Sequence, residues 1–232
     1  VPTWNYVAVE LEGTPVAQPA DWLPGHLDRL AARGPARLLP ARASPKARTV
    51  ALVTGGHRPV PPEFEQRLRN SLAAAGAEIV DLARLEAMFP GRALDTSEVA
   101  DWLNRIEYDA PLVVYVGGEG ASDWSRKAIR QADLVVFACR GDAPAPVLTE
   151  IESFACGVHP ASARRLVRVH DRRRSEVSGT AAWLARLPCF MHHHVALEDM
   201  IDIDSLVRFL CGRAVGFVAG LGEGDDDHAP AD

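Results

Sequence analysis

The residues most able to do chemistry stand together in "FMHHHVALED", residues 190–199, where His192, His193 and His194 are consecutive. In an extended segment alternate side chains share a face, so His192 and His194 point one way and His193 the other. Two imidazoles on one face make half of a zinc site, with His170 or Asp199 as the candidate for a further ligand. No HExxH pattern and no His/Cys pair at ligand spacing accompanies them, and the run lies far from either terminus. Packing and hydrogen bonding at a strand end is therefore the favoured role, and no metal is assigned.

Three glycine-rich stretches come next: "VTGGHRPV" with Gly55 and Gly56, "VGGEGASDW" with Gly117 and Gly118, and "VAGLGEGDDD". Glycines after a strand let backbone N–H groups approach a phosphate. None of the three has the GxGxxG or GxxxxGK[ST] spacing, and the last is followed by three aspartates that oppose an anion. The first two are favoured as plain turns, with a ligand loop as the alternative. A nucleophile elbow, GxSxG, is absent, and no cysteine has a Cys-His context. Arg130 and Asp133, at a helix–strand junction, suggest a structural ion pair. "HDRRRSE" (170–176) is a basic patch expected to be solvated, with contact to an acidic partner or a lipid headgroup as the alternative.

The elements that must position these residues follow from periodicity. Short apolar runs at 49–54, 78–82, 111–116, 133–139, 164–170, 189–195 and 214–219 have the length and β-branched content of buried strands. Amphipathic segments at 61–76, 96–109, 122–132, 145–157, 178–187 and 202–212 alternate with them. Thr96 or Ser97 is placed to cap the second helix and Ser122 to start the third. Such alternation demands a mostly parallel sheet with helices on both faces, a doubly wound Rossmann-like or flavodoxin-like α/β layer over residues 49–219. Residues 1–13 suggest a strand turned at Gly13-Thr14-Pro15, and Asp21 a cap for a short helix. Residues 35–48 make a proline-rich linker and 220–232 an acidic tail.

Composition narrows the function classes. With 232 residues and 47% hydrophobic content the chain can bury a sizeable core. A net charge of −6 argues against general nucleic-acid binding. Four cysteines without a CxxC pair suggest reduced thiols in a cytoplasmic protein. No apolar run reaches the ~18 residues of a membrane span, and Val1 to Glu12 lacks the basic start and apolar run of a secretory signal.

Several stretches, in one order, carry a resemblance: "VADWLNRIEYDAPLVVYVGGEGASDWSRKAIRQADLVVFAC", "TAAWLARL", "MHHHV" and "DIDSLVRFLCGRAVGFV". Together they resemble the segment upstream of the patatin-like catalytic domain in neuropathy target esterase-type phospholipases, whose bacterial members often carry cyclic-nucleotide-binding domains further upstream. The positions matching the family pattern are Trp124, Arg130, Gln131 and Asp133, then Trp183, then His192, His193 and His194, then Arg208, Gly212, Arg213 and Gly216. The resemblance covers roughly residues 48–218 and implies that the histidine run is a structural element. It also implies serine esterase chemistry in the family at large. Here, though, the oxyanion-hole GGGxRG, the serine elbow and the DG aspartate are all missing, so no residue of these 232 inherits a catalytic role. The first 34 residues, through "VPTWNYVAVELEGTPV", resemble the FMN-binding split-barrel family of PaiB-type regulators, with Glu10 where that family has His.

The function expected from these readings is a non-catalytic regulatory or linking domain of a patatin-like phospholipase. It would be cytoplasmic, with peripheral contact to a membrane as an option, and partnered with the catalytic domain or another protein. The alternatives are a fragment of an active lysophospholipase, and a nucleotide- or flavin-binding module. No cofactor is assigned.

Overall fold

A computed structural model describes residues 47–118, 120–144, 147–173 and 177–212, together with two short N-terminal strands. Those strands, β1 (Val9–Leu11) and β2 (Thr14–Val16), pair antiparallel with Leu11 opposite Thr14. Thr14 and Pro15, read from sequence as turn residues, are thus strand residues. The helix expected after Asp21, the strand at 214–219 and the acidic tail lie outside the described residues, as does most of the linker.

The rest is one six-stranded sheet in which every pairing is parallel. Its strands are β3 (Thr49–Thr54), β4 (Glu78–Val80), β5 (Val113–Val116), β6 (Leu134–Arg140), β7 (Arg164–His170) and β8 (Met191–Ala196). They are joined by α1 (Pro62–Ala74), α2 (Leu82–Met88), α3 (Ser97–Asp109), α4 (Asp123–Gln131), α5 (Glu150–Val158) and α6 (Thr180–Arg186), with α7 (Met200–Leu210) after β8. The spatial order is β4-β5-β3-β6-β7-β8. Counted from β3 this is 2-3-1-4-5-6, which bears out a doubly wound sheet but matches neither 3-2-1-4-5-6 nor 2-1-3-4-5.

Parallel strands buried on both faces need apolar interiors, and β3, β5 and β6 have them, with Thr49, Thr54 and Arg140 only at strand ends. Two cores result. One face carries Ala51, Tyr115, Val135 and Phe137 under α2 to α6, with Trp124, Ile129, Ile151 and Trp183 packed in. The other carries Val50, Val114, Val136 and Val167 under α1 and α7, through Phe64, Leu68, Leu72, Ile203 and Leu206. The connections leave β3 and its parallel neighbour β6 toward opposite sides of the sheet, so the rim above those two strands is where a doubly wound sheet offers a ligand crevice.

Candidate functional site

The first glycine loop leaves β3 at that rim, and its geometry is closed. Gly55 donates its N–H to Ala138 O at 2.8 Å, extending the ladder by one residue. A Cβ at Gly55 would collide with Cys139 Sγ. Gly56 has φ +71°, a left-handed conformation natural to glycine, and a Cβ there would lie 2.8 Å from Trp183 Cη2. The Gly56 N–H donates to Glu152 Oε1 at 2.8 Å, across from α5. Glu152 is 1% exposed. Its second oxygen, Oε2, accepts from Thr149 N at 2.7 Å and Thr149 Oγ1 at 3.0 Å, while Thr149 Oγ1 accepts from Glu152 N: a capping box that also starts α5. Trp183 covers the loop and donates Nε1–H to Ala143 O at 3.1 Å. Past Gly56 the donors thin out. Pro59, Pro61 and Pro62 have no N–H, and Glu63 and Glu65 fill the first turn of α1.

The second glycine loop is stitched just as tightly. Gly117 N–H donates to Leu52 O at 2.8 Å, and a Cβ there would press on Val53 Cγ1 at 2.9 Å. Ser125 Oγ donates to Gly118 O at 3.2 Å, and Ser122 caps α4. Between the two loops the crevice shrinks to about 20 Å³, walled by Thr54, Val60, Phe64, Val116 and Gly117.

The residues singled out around α4 hold architecture. Trp124, buried, donates Nε1–H to Val116 O at 2.7 Å and meets Tyr115 edge-on. Gln131 donates to Glu107 Oε1 at 2.8 Å, and Tyr115 OH donates to the same oxygen. Burial and that carboxylate push the Tyr115 hydroxyl well above its usual range. Asp133 accepts the N–H groups of Arg48 (2.9 Å) and Thr49 (3.1 Å), anchoring the start of β3, while Arg130 lies over the Phe154 ring, 5.7 Å from its centroid. The ion pair expected between Arg130 and Asp133 is therefore not formed; each faces a different element.

The histidines converge as alternation predicts. His192 and His194 are 8% and 4% exposed, and their rings meet edge-on at 5.5 Å. His193 faces the other way, against Phe209 of α7, with ring centroids 4.7 Å apart. His194 Nδ1 is 3.0 Å from His170 Nε2, and His194 Nε2 is 3.3 Å from Thr180 Oγ1. Burial, aided by neighbouring positive charge, lowers His192 to about 4 and His194 to about 2. These rings are neutral hydrogen-bonding groups at neutral pH. Among the described residues, no three His, Cys, Asp or Glu side chains converge as a metal-ligand set. Asp199, weighed above as a ligand, instead caps α7 through Ile201 N at 2.9 Å.

Beside them Arg168, 1% exposed, reaches up from β7. Its guanidinium donates to Ser178 O at 2.7 Å, to Thr180 Oγ1 at 3.2 Å, and to the carbonyls of Gly141 and Ala143. It thereby fastens the β6–α5 and β7–α6 loops to each other. A cleft of about 260 Å³ opens between these loops, lined by Asp142, Pro144, Arg168, His170 and Ser178. Further along the rim the basic patch is partly neutralised, not simply solvated: Arg173 pairs with Asp202 at 2.7 Å and Asp199 at 3.7 Å.

Residues 46–209, more than two thirds of the chain, match the family described as "Neuropathy Target Esterase family P-loop like domain". The chain belongs to the neuropathy target esterase family. It is 32% identical over 157 residues to lysophospholipase NTE1 of Cryptococcus neoformans, covering 64% of this chain and 10% of that protein. To lysophospholipase NTE1 of Mycosarcoma maydis it is 36% identical over 105 residues, 44% and 6% of the two chains. To patatin-like phospholipase domain-containing protein 7 of Rattus norvegicus it is 23% identical over 189 residues, 68% and 14%. The chain thus spans about a tenth of the length of the curated relatives it matches. The family match begins at residue 46 and leaves the N-terminal stretch, with its PaiB-like motif, unaccounted for.

The family's "P-loop like" architecture explains the place of Gly55 and Gly56, between the first strand of the parallel sheet and its helix. Of the remaining family-pattern positions, Arg208 is exposed on α7 and donates to Ser205 Oγ at 2.9 Å. Gly212 takes φ +64° just past that helix, whereas Arg213 and Gly216 lie outside the described residues. Sequence reasoning missed Glu152 and Arg168. The Thr149-x-x-Glu152 capping-box spacing and an arginine inside the apolar run of β7 were the available signals.

Proposed function

We propose that this chain acts as the non-catalytic regulatory or linking domain of a patatin-like, neuropathy target esterase-type phospholipase. Its partner would be the catalytic domain of that enzyme or another protein of the same assembly. The observation that carries this reading is how the pattern residues are used. Trp124, Gln131, Asp133, Trp183 and His194 are all engaged in holding strands and loops, with none left aimed at a shared reacting position. The sequence itself supplies no serine elbow to attack an ester. Cytoplasmic location with peripheral membrane contact belongs to the same proposal; no helix among the described residues is long and apolar enough to cross a membrane.

The test is an esterase assay with phenyl esters and lysophospholipids, run on the purified chain alone and then with the separately expressed catalytic domain of a family relative. The expected result is no turnover alone and a changed rate in the mixture. Hydrolysis by the chain alone, in a preparation free of contaminating serine esterase, defeats the proposal. The flavin reading of residues 1–34 predicts a yellow protein, and a colourless preparation retires it.

A further inference from the structure

The P-loop-like turn raises its own question: what anion does it hold? A phosphate-binding turn of this kind works through backbone N–H groups that converge beyond the end of the first strand, at the N-terminus of the next helix. Here the N–H of Gly56 already points at an anion, the Glu152 carboxylate, 2.8 Å away. That carboxylate is buried, with Oε1 on the glycine loop and Oε2 on Thr149 N and Oγ1. The same oxygen, Oε1, sits 3.2 Å from where a Gly55 Cβ would stand, so the glycine pair leaves room for a carboxylate and little more. No arginine or lysine forms an ion pair with Glu152 among the described residues. Three hydrogen bonds from the chain are what stabilise its charge. The rest of the turn has lost what an external phosphate needs. Three prolines remove donors, no lysine follows, and Glu63 and Glu65 stand at the start of α1. Trp183 closes the top.

We infer that Glu152 is the resident anion of this loop: the chain's own carboxylate occupies the place a phosphate would take, so the turn is liganded from within and the domain keeps its shape without nucleotide. Glu152 then joins three elements: the loop after β3, the start of α5, and, through the packed loop, Trp183 of α6. This goes beyond the proposed function, since it would hold whether or not the domain regulates a phospholipase.

The experiment removes the internal anion and offers small ones back. Glu152→Ala in the full chain should lower the thermal midpoint. Formate or acetate should then raise the midpoint of that variant saturably, while formamide and acetamide should not, and wild type should respond to neither beyond a general salt effect. In wild type the Gly56 amide resonance should be unmoved by inorganic phosphate or ATP. The inference is overturned if the carboxylates fail to rescue a folded Glu152→Ala chain, or if phosphate or ATP shifts the wild-type Gly56 resonance. Should Glu152→Ala not fold, Glu152→Gln is the second variant. It keeps the shape and an acceptor but not the charge, and should fold with a lowered midpoint and a displaced Gly56 resonance. A Gln variant indistinguishable from wild type in both readouts would equally overturn the inference.

Discussion

Acid should unfold this domain through its histidines. His192 and His194 titrate near 6.5 when exposed, and burial in the folded chain lowers them to about 4 and about 2. Above pH 6.5 both are neutral whether the chain is folded or not, so they contribute no pH dependence. As pH falls below that value the unfolded chain takes up protons that the folded chain refuses. Stability therefore drops, and it continues to drop until the folded values are reached. Each such group costs about 1.4 kcal/mol per pH unit, hence about 2 kcal/mol at pH 5 and about 4 kcal/mol for the pair. The imidazoles touch one another and Arg168 lies alongside, so protonating one ring makes the next harder to charge. Urea unfolding followed by tryptophan fluorescence at pH 7, 6 and 5 measures this directly. The midpoint should fall steeply over that range, and, since burial also lowers His193 to about 3, a His192→Gln variant should lose roughly a third of the pH slope whatever its stability at pH 7. A midpoint insensitive to pH between 7 and 5, or a variant with an unchanged slope, would show that these rings are not buried neutral groups.

Three further outcomes follow from contacts already described. Gly55→Ala drives a methyl into Cys139 Sγ in a packed core and should cost about 1–3 kcal/mol, read from the urea midpoint. Arg168→Lys keeps the charge but loses the fork that reaches both rim loops; about 2 kcal/mol should be lost, and the Gly141 to Ala143 amides should exchange faster with deuterium. Asp133→Ala leaves the N–H groups of Arg48 and Thr49 without their acceptor at the head of β3 and should destabilise by about 1–2 kcal/mol in the same unfolding assay.

Much of this architecture is legible in the order of residues, for identifiable physical reasons. β3, β5 and β6 announce themselves because the interior of a strand covered on both sides is apolar, whereas β7 shows only Leu166, Val167 and Val169 between its arginines and His170. Thr96 and Ser122 mark helix starts because a hydroxyl there accepts an otherwise orphaned N–H. Alternation alone separates His193 from His192 and His194. What escapes depends on the third dimension. Helix α2 escaped because it is only seven residues long and begins directly after β4 with Asp81 as its cap; only Leu85 of it is fully buried. The apolar pattern places the start of α5 at 145, whereas it lies at Glu150, where Thr149 and Glu152 form a capping box. The swap of the second and third strands leaves no local mark, since either order accepts the same apolar runs. The partnership of Gly56 with Glu152 spans 96 residues and could not be read from either neighbourhood.

The central strand also sets a schedule for synthesis. β3 is the first strand of the large sheet to leave the ribosome, yet its two neighbours are β5, starting at Val113, and β6, starting at Leu134. At roughly 5–20 residues per second the nascent chain carries "TVALVT" unpaired for about 3–17 s. That hexapeptide is uncharged, free of proline and rich in β-branched residues, the composition that seeds intermolecular strands. The segment preceding it, "SPKAR", brings two positive charges within five residues of its start and can act as an electrostatic guard while the strand waits. The buried centre of the finished sheet is thus, for its first seconds, the segment most in need of shielding by a chaperone.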